Sequence, residues 1–321
     1  MPVRIGFLGT GLIAHQHMEI LSRNPKAKMV AFCDINPEAA RESAEKYGGN
    51  AYTDYRAMLD SEELDAVYVC IPPFAHEGQE IEIARRGIHL FVEKPVTLDT
   101  ELGERVAEAI EENGVISSVG YHFRYLDTVD LVRGILRERR IGMALGYWMS
   151  RIWKAPWWKI REKSGGQAVE QTTHIFDLAR YLLGEVKEVY ATRMRGLVND
   201  VPDFRNDDMS CVMLKFENGA IGCITSTCIL DFKYKAELAL VGRKIVIEIS
   251  LDGVRIIEPD DKIAEHKPSV NPKRLENDIF IEAVESGDAS AIRCTYEDGL
   301  RTAAVTLAAN RSMESGEVVK L

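Results

Sequence analysis

Short apolar runs alternate with amphipathic stretches over the first third of the chain. Val3–Leu8, Lys28–Cys33, Ala66–Ile71, Ile88–Val92 and Val115–Gly120 are each four to seven residues of mostly apolar side chains, the length and density of strands buried on both faces. Between them, Leu12–Asn24, a segment opened by Asn36-Pro37, Ala75–Arg86 and Asp99–Asn113 carry helical periodicity. Their stops are Pro25, Gly48-Gly49 and Gly87. Strand, helix, strand in this rhythm predicts parallel βαβ units. After about residue 120 the pattern changes. A helix over Thr128–Arg139, a strand near Ala144–Trp153 and a helix over His174–Leu183 precede a series of strands: Glu188–Arg195, Met209–Phe216, Ala220–Ile229, Ala236–Val241, Lys244–Ser250 and Val254–Ile257. Asn218-Gly219 between two of them predicts a hairpin with a type I′ turn, in which both central residues need positive φ. Helices over Arg274–Ser286 and Tyr296–Glu314 close the chain. The expected fold class is α/β: an N-terminal Rossmann parallel sheet over residues 1–120, then an α+β domain on an open antiparallel sheet over residues 121–321.

Composition narrows the classes. With 321 residues, 46% hydrophobic and 28% charged, the chain can bury a substantial core in two domains. A formal charge of −10 lacks the footprint of a general nucleic-acid binder. No apolar run is long enough for a membrane span, and Met1-Pro2-Val3-Arg4 enters strand sequence with no secretory leader, so a cytoplasmic protein is expected. The six cysteines form no C-x-x-C pair and are expected to be reduced thiols, with no metal site.

Gly9-Thr10-Gly11-Leu12-Ile13-Ala14 follows the first strand and opens the first helix. The first glycine suits a tight turn and the second a close approach of a pyrophosphate. Ala14 is small enough for helix–strand packing, and free N–H groups at the helix start favour the anion. Asp34, at the end of the second strand, can accept hydrogen bonds from ribose hydroxyls and would repel a 2′-phosphate, which favours NAD(H) over NADP(H); the lesser alternative is a mere cap before Asn36-Pro37. Ile71-Pro72, at the end of the third strand, and His76 beyond it fall on the same ligand-binding edge, although His76 can also be a plain helix-start residue.

Glu93-Lys94-Pro95 closes the next strand, and Gly165-Gly166-Gln167-Ala168-Val169-Glu170-Gln171-Thr172-Thr173-His174-Ile175-Phe176-Asp177 lies in the second half. With the glycine loop, these segments resemble the glucose–fructose oxidoreductase/inositol dehydrogenase/rhizopine-catabolism (Gfo/Idh/MocA) family over nearly the whole chain. The resemblance implies nicotinamide-dependent hydride transfer at a secondary alcohol or ketone of a sugar, sugar acid or inositol-like polyol, in a homo-oligomer (dimer or tetramer). It makes Lys94 the active-site lysine, Glu93 its neighbour beside the nicotinamide ribose, and His174 the general acid/base. Glu170 stands where many members carry Asp, as proton-relay auxiliary or substrate contact.

The residue chemistry is compatible. On one helix Glu170 and His174 would share a face, an imidazole titrates near neutrality, and a lysine ammonium can stabilise an alkoxide. Asp177 can orient the His174 ring or face solvent. Arg124, in Tyr121-His122-Phe123-Arg124-Tyr125, lies in a segment that resembles the family's basic cleft lining and can hold a substrate oxygen or the carboxamide end of the cofactor, or else pair with an acid. Trp157 and Trp158, with Trp153 nearby, can form a platform for sugar C–H faces or anchor a loop. Two other activities fit the same motifs: a glycosidase using bound NAD for transient oxidation, and a non-catalytic nucleotide sensor.

Overall fold

A computed structural model describes residues 1–321, which divide into two compact units: Met1–His122 with Pro272–Leu300, and Phe123–Asn271 with Arg301–Leu321. The expectation that 121–321 forms one domain is therefore corrected, because Pro272–Leu300 returns to the first unit.

In the first unit, β1 (Val3–Leu8), α1 (Leu12–Leu21), β2 (Ala27–Cys33), α2 (Pro37–Tyr47), β3 (Asn50–Tyr52), α3 (Tyr55–Ser61), β4 (Ala66–Val69), α4 (Gln79–Arg85), β5 (His89–Val92), α5 (Thr100–Glu112) and β6 (Ser117–Val119) follow in order. The six strands are parallel in the order β3-β2-β1-β4-β5-β6. This is the doubly wound arrangement, and its strand order reverses at β1 and β4, where such sheets bind ligands beyond the carboxyl ends of their strands. Local chemistry sets the helix ends. The Asn36 side chain caps α2 with Pro37 in its first turn, and Asp99 caps α5 by accepting from the N–H groups of Glu101 and Leu102. Phe7, Tyr68 and Phe91 on three adjacent strands stack at 5.1 and 4.6 Å. Phe280, from the helix over Pro272–Ser286, meets Tyr68 and Phe91 edge-on at 5.6 and 5.5 Å. That returning helix completes the first unit's core.

The second unit begins with α6 (Asp127–Leu136), β7 (Ile141–Met149), α7 (Arg161–Ser164), α8 (Gln167–Glu170) and α9 (Thr173–Leu183). Then come β8 (Val186–Met194), β9 (Met209–Phe216), β10 (Ile221–Thr227), β11 (Lys235–Gly242), β12 (Ile245–Ser250), β13 (Gly253–Glu258) and β14 (Lys262–His266). The helix already described, Pro272–Ser286, is α10; α11 (Tyr296–Ser315) and β15 (Val319–Lys320) end the chain. The nine strands run β14-β13-β12-β11-β7-β10-β9-β8-β15. Neighbours are antiparallel except β7 and β10, which pair in parallel, so the sheet is mixed rather than purely antiparallel. β9 and β10 alternate buried and more exposed positions. The buried face packs Val212, Leu214 and Ile224 with Val129, Ile175 and Val305 from α6, α9 and α11. Tyr190, Met213 and Ile221 are exposed. The Asn218-Gly219 hairpin forms, with a different turn from the one expected. Gly219 alone has positive φ (+86°); its N–H donates to the Phe216 carbonyl at 3.0 Å, and the Phe216 N–H to Ala220 at 2.9 Å, a three-residue loop closed by a left-handed glycine. No helix is long and apolar enough to cross a membrane.

Candidate active site

In the first unit, the turn after β1 is built for close approach. Gly9 sits at φ +88°, and a β-carbon there would stand 2.6 Å from the Cys70 carbonyl oxygen, so only glycine fits. Around Gly11, the N-cap of α1, an added β-carbon would meet nothing within 4 Å, and no side chain caps the helix. Its first N–H groups remain available to an anion. Ala14 is fully buried, Ile13 half-buried and Leu12 exposed. The Thr10 N–H and hydroxyl donate to Asp34 Oδ2 at 2.8 and 3.1 Å, and the Asn36 N–H to Oδ1 at 2.9 Å. Asp34 is thus fixed beside the glycine turn, while Asn36 caps α2. Each carboxylate oxygen keeps acceptor capacity for a ribose hydroxyl. An open helix start, a turn that admits no side chain and an oriented carboxylate fit a dinucleotide.

Ile71 and Pro72 follow β4, half-buried, and lead into a short 3₁₀ turn over Pro73–Ala75. His76 is buried, with Nδ1 2.5 Å from Oε1 of the equally buried Glu80. Beyond β5, Glu93 is buried with its carboxylate held on both sides. His17 Nε2 lies 2.9 Å from Oε1, and the Lys94 backbone N–H donates to Oε2 at 3.1 Å. A β-carbon at Gly120 would come within 2.9 Å of that carboxylate. Burial opposes the charge on Glu93, but the His17 hydrogen bond, with the charges of His17, Lys273 and Lys94, outweighs it and holds the acid down at about 2. Lys94 is half-buried, and its peptide bond to Pro95 is cis. His122 is pushed down to about 3, by burial first and then by the Lys273 charge.

In the second unit, His174 stands in the first turn of α9, with its ring stacked on Phe123 (5.5 Å) and on Trp148 (5.8 Å). Glu170 and His174 do not share one helix as expected. α8 ends at Glu170, the chain breaks at Gln171–Thr172, and the Thr172 hydroxyl is tied to Ser226 at 2.8 Å. Glu170 Oε2 instead accepts from Trp158 Nε1 at 2.6 Å. Ahead of α8, Gly165 and Gly166 take φ of +76° and +90°. Asn310 donates to the Gly165 carbonyl at 2.7 Å and accepts from Arg161 at 3.0 Å, while Arg161 also pairs with Asp207.

Two expected substrate contacts are corrected. Trp158 is wholly buried, so it cannot offer a face to a sugar; it holds Glu170. Arg124 is 1% exposed and spends its guanidinium on Asp177, with Nε and Nη2 donating at 2.8 and 2.7 Å. Asp177 also accepts from the Thr302 hydroxyl at 3.0 Å, so it neither faces solvent nor is positioned solely for His174. Trp157 remains half-buried and Trp153 exposed. Sequence reasoning missed Phe123 and Trp148 around His174, and His17 and Asn277 behind Glu93. Only His17 left a signal, as a polar residue on the stripe Ala14, His17, Met18, Leu21 that α1 buries.

Comparison with known proteins agrees with this architecture. Residues 3–121 match the oxidoreductase family with the NAD-binding Rossmann fold (GFO_IDH_MocA), and residues 131–248 match the GFO/IDH/MocA C-terminal domain. The chain is 30% identical to inositol 2-dehydrogenase of Rhizobium meliloti, over 98% of its own length and 97% of the relative's. It is 28% identical to myo-inositol 2-dehydrogenase of Thermotoga maritima, over 99% and 98%. The WlbA dehydrogenase of Bordetella pertussis, crystallised with NADH and UDP-GlcNAcA, superposes with a TM-score of 0.86 at 26% identity, over 100% of this chain and 99% of that one. Fold and glycine turn define an NAD-binding oxidoreductase. The chain belongs to the Gfo/Idh/MocA family, among its sugar- and inositol-type dehydrogenases.

Proposed function

We propose that this enzyme oxidises a secondary alcohol of a sugar, sugar acid or inositol-like polyol, or reduces the corresponding ketone, with His174 and Lys94 as its catalytic groups. The observation that carries this reading is the support each residue receives. His174 is held against two aromatic rings at a helix start, and Lys94 follows a carboxylate locked by hydrogen bonds on both of its oxygens. Gly9, Thr10, Gly11 and the start of α1 would hold the pyrophosphate, Asp34 the adenosine ribose, and Glu93 the nicotinamide ribose, with Ile71, Pro72 and His76 along the same sheet edge. Bound NAD supplies the hydride acceptor in oxidation and NADH the donor in reduction. In oxidation, the imidazole of His174 takes the hydroxyl proton as the C–H bond breaks, and the Lys94 ammonium stabilises the alkoxide forming at that oxygen. Glu170, fixed by Trp158, is the auxiliary acid of this reading, and Trp157 is the remaining candidate for an aromatic substrate contact. The inositol dehydrogenases among the relatives put inositols first in the substrate panel. The exposed Tyr190, Met213 and Ile221 are the surface on which we propose that the chain self-associates. The glycosidase and sensor readings gain no support.

The test uses Lys94→Ala and His174→Asn with NAD⁺ and inositols, sugars and sugar acids, followed at 340 nm. Each variant should retain NADH binding and lose about 100-fold or more in kcat. Full turnover in either variant overturns its assignment.

A further inference from the structure

Behind Glu93 lies a chain of polar contacts that the reaction as described does not use. His17 is completely buried, with rings on two sides: Phe91 at 4.9 Å and Tyr68 at 5.5 Å. Its Nε2 meets Glu93 Oε1 at 2.9 Å, and its Nδ1 lies 3.1 Å from Oδ1 and 2.9 Å from Nδ2 of Asn277, which is also buried. Asn277 is anchored in turn, its amide donating to the Lys273 carbonyl at 2.7 Å within α10. A polar chain this deep serves no core-packing purpose that an apolar residue would not serve better, because each buried polar group must recover the hydration it has lost. It ends on one oxygen of Glu93, and the other oxygen holds the Lys94 backbone N–H.

We infer that His17 and Asn277 are positioning residues: they fix the Glu93 carboxylate, which fixes the backbone from which the Lys94 side chain projects. The inference deepens the assignment of Lys94 as a catalytic group and rests on it. Neither His17 nor Asn277 touches the reacting atoms. The two are far apart in sequence, on α1 and α10, so the second pass of the chain through the first unit supplies part of the support for the active-site lysine.

The charges facing Glu93 come from several elements: His17 on α1, Lys273 on α10 and the adjacent Lys94. Cys70 after β4 and His122 after β6 both feel its charge. Without its His17 hydrogen bond, a carboxylate this buried takes up a proton more readily. The carboxylate then turns more freely, the Lys94 backbone loses its anchor on the other oxygen, and the half-buried Lys94 side chain becomes more accessible to reagent.

The experiment compares His17→Gln with His17→Asn in the full-length protein. The Gln amide nitrogen can occupy the place of Nε2 and keep the donor to Glu93, whereas the shorter Asn reaches only toward Asn277. Asn277→Leu attacks the same chain from its far end. Acetic anhydride labelling of the apoprotein at pH 7.5, read lysine by lysine by mass spectrometry, should show the loosened Lys94 side chain labelled about threefold faster or more in His17→Asn and Asn277→Leu. The rate should match wild type in His17→Gln, and the other lysines should be unchanged in all three. In the polyol assay, kcat should fall about 10- to 100-fold in His17→Asn and recover in His17→Gln. Unchanged Lys94 labelling in both His17→Asn and Asn277→Leu overturns the inference, as does an equal effect of Gln and Asn at position 17. Full turnover by Lys94→Ala would instead defeat the catalytic assignment of Lys94 and leave the labelling result standing.

Discussion

Breaking the buried pair between Arg124 and Asp177 separates a structural arginine from a substrate-binding one. Both side chains are essentially inaccessible, joined by two hydrogen bonds at 2.8 and 2.7 Å. The guanidinium also lies 4.6 Å from the ring centre of Tyr181. The network continues through the Thr302 hydroxyl, which receives Arg180 Nη1 at 2.7 Å, to the Arg180–Glu185 pair. Asp177→Asn keeps the shape and removes the charge, so the guanidinium loses its counter-ion where water cannot replace it. Such a loss costs about 3–5 kcal/mol. In a domain of this unit's size, that lowers Tm by about 6–20 °C. Arg124→Leu should cost as much, because it strands Asp177. The double replacement Arg124→Leu/Asp177→Leu leaves no charge buried alone and should recover most of the loss, a coupling of about 5 kcal/mol or more. Urea unfolding followed by circular dichroism gives the cycle, and the KM for the polyol gives the contrast. If both single variants stay within about 1 kcal/mol of wild type while Arg124→Leu raises KM tenfold, the buried-pair account is wrong and Arg124 binds substrate.

The Trp158–Glu170 contact predicts a second cycle. Trp158→Phe removes the Nε1 donor while keeping an aromatic ring at the site, and Glu170→Asp draws the carboxylate back by one methylene. Each should lower kcat about tenfold, the size of one hydrogen bond to a charged group, and the double variant should be no worse than either single. Additive losses would show that the two residues act separately. His122 predicts a pH effect. Its folded pKa, about 3, lies below the ordinary value of 6.5, so its contribution to stability is complete above pH 6.5 and is lost as pH falls toward 3. His122→Gln should therefore remove up to about 2 kcal/mol of the fall in unfolding free energy between pH 7 and 5, and an unchanged slope would refute the neutral, half-buried imidazole. Glu93 acts lower on the scale, since a depressed acid loses its contribution from about pH 4.5 down to about 2.

The parallel sheet was legible because its strands are continuous apolar runs, and the glycine turn because backbone geometry restricts Gly9 whatever surrounds it. Burial of polar side chains was harder to read. Trp157 and Trp158 are adjacent and chemically identical, yet one is half-buried and the other wholly enclosed, a difference set by residues far along the chain. Arg124 finds its acid 53 positions away, and His17 meets Asn277 260 positions away. Spacing within a motif carries no trace of such partners. The break between Glu170 and His174 had a local cue in Thr172-Thr173, β-branched and able to bond elsewhere, but the tie to Ser226 that fixes it belongs to the sheet.

The return of α10 to the first unit also governs how this protein can be made. A ribosome releases residues 1–122 with every strand of the parallel sheet already present, yet Phe280 and Ile281, which close over its aromatic core, emerge only after the whole of 123–271. Until then the rings of Tyr68 and Phe91 lack their cover, and His17 lacks Asn277. The nascent N-terminal unit must wait, partly open, while the mixed sheet of its neighbour is synthesised, an interval in which exposed apolar surface invites chaperones or aggregation. A fragment cut at His122 would carry that defect permanently, so any effort to isolate the dinucleotide-binding half should graft residues 272–300 back onto it.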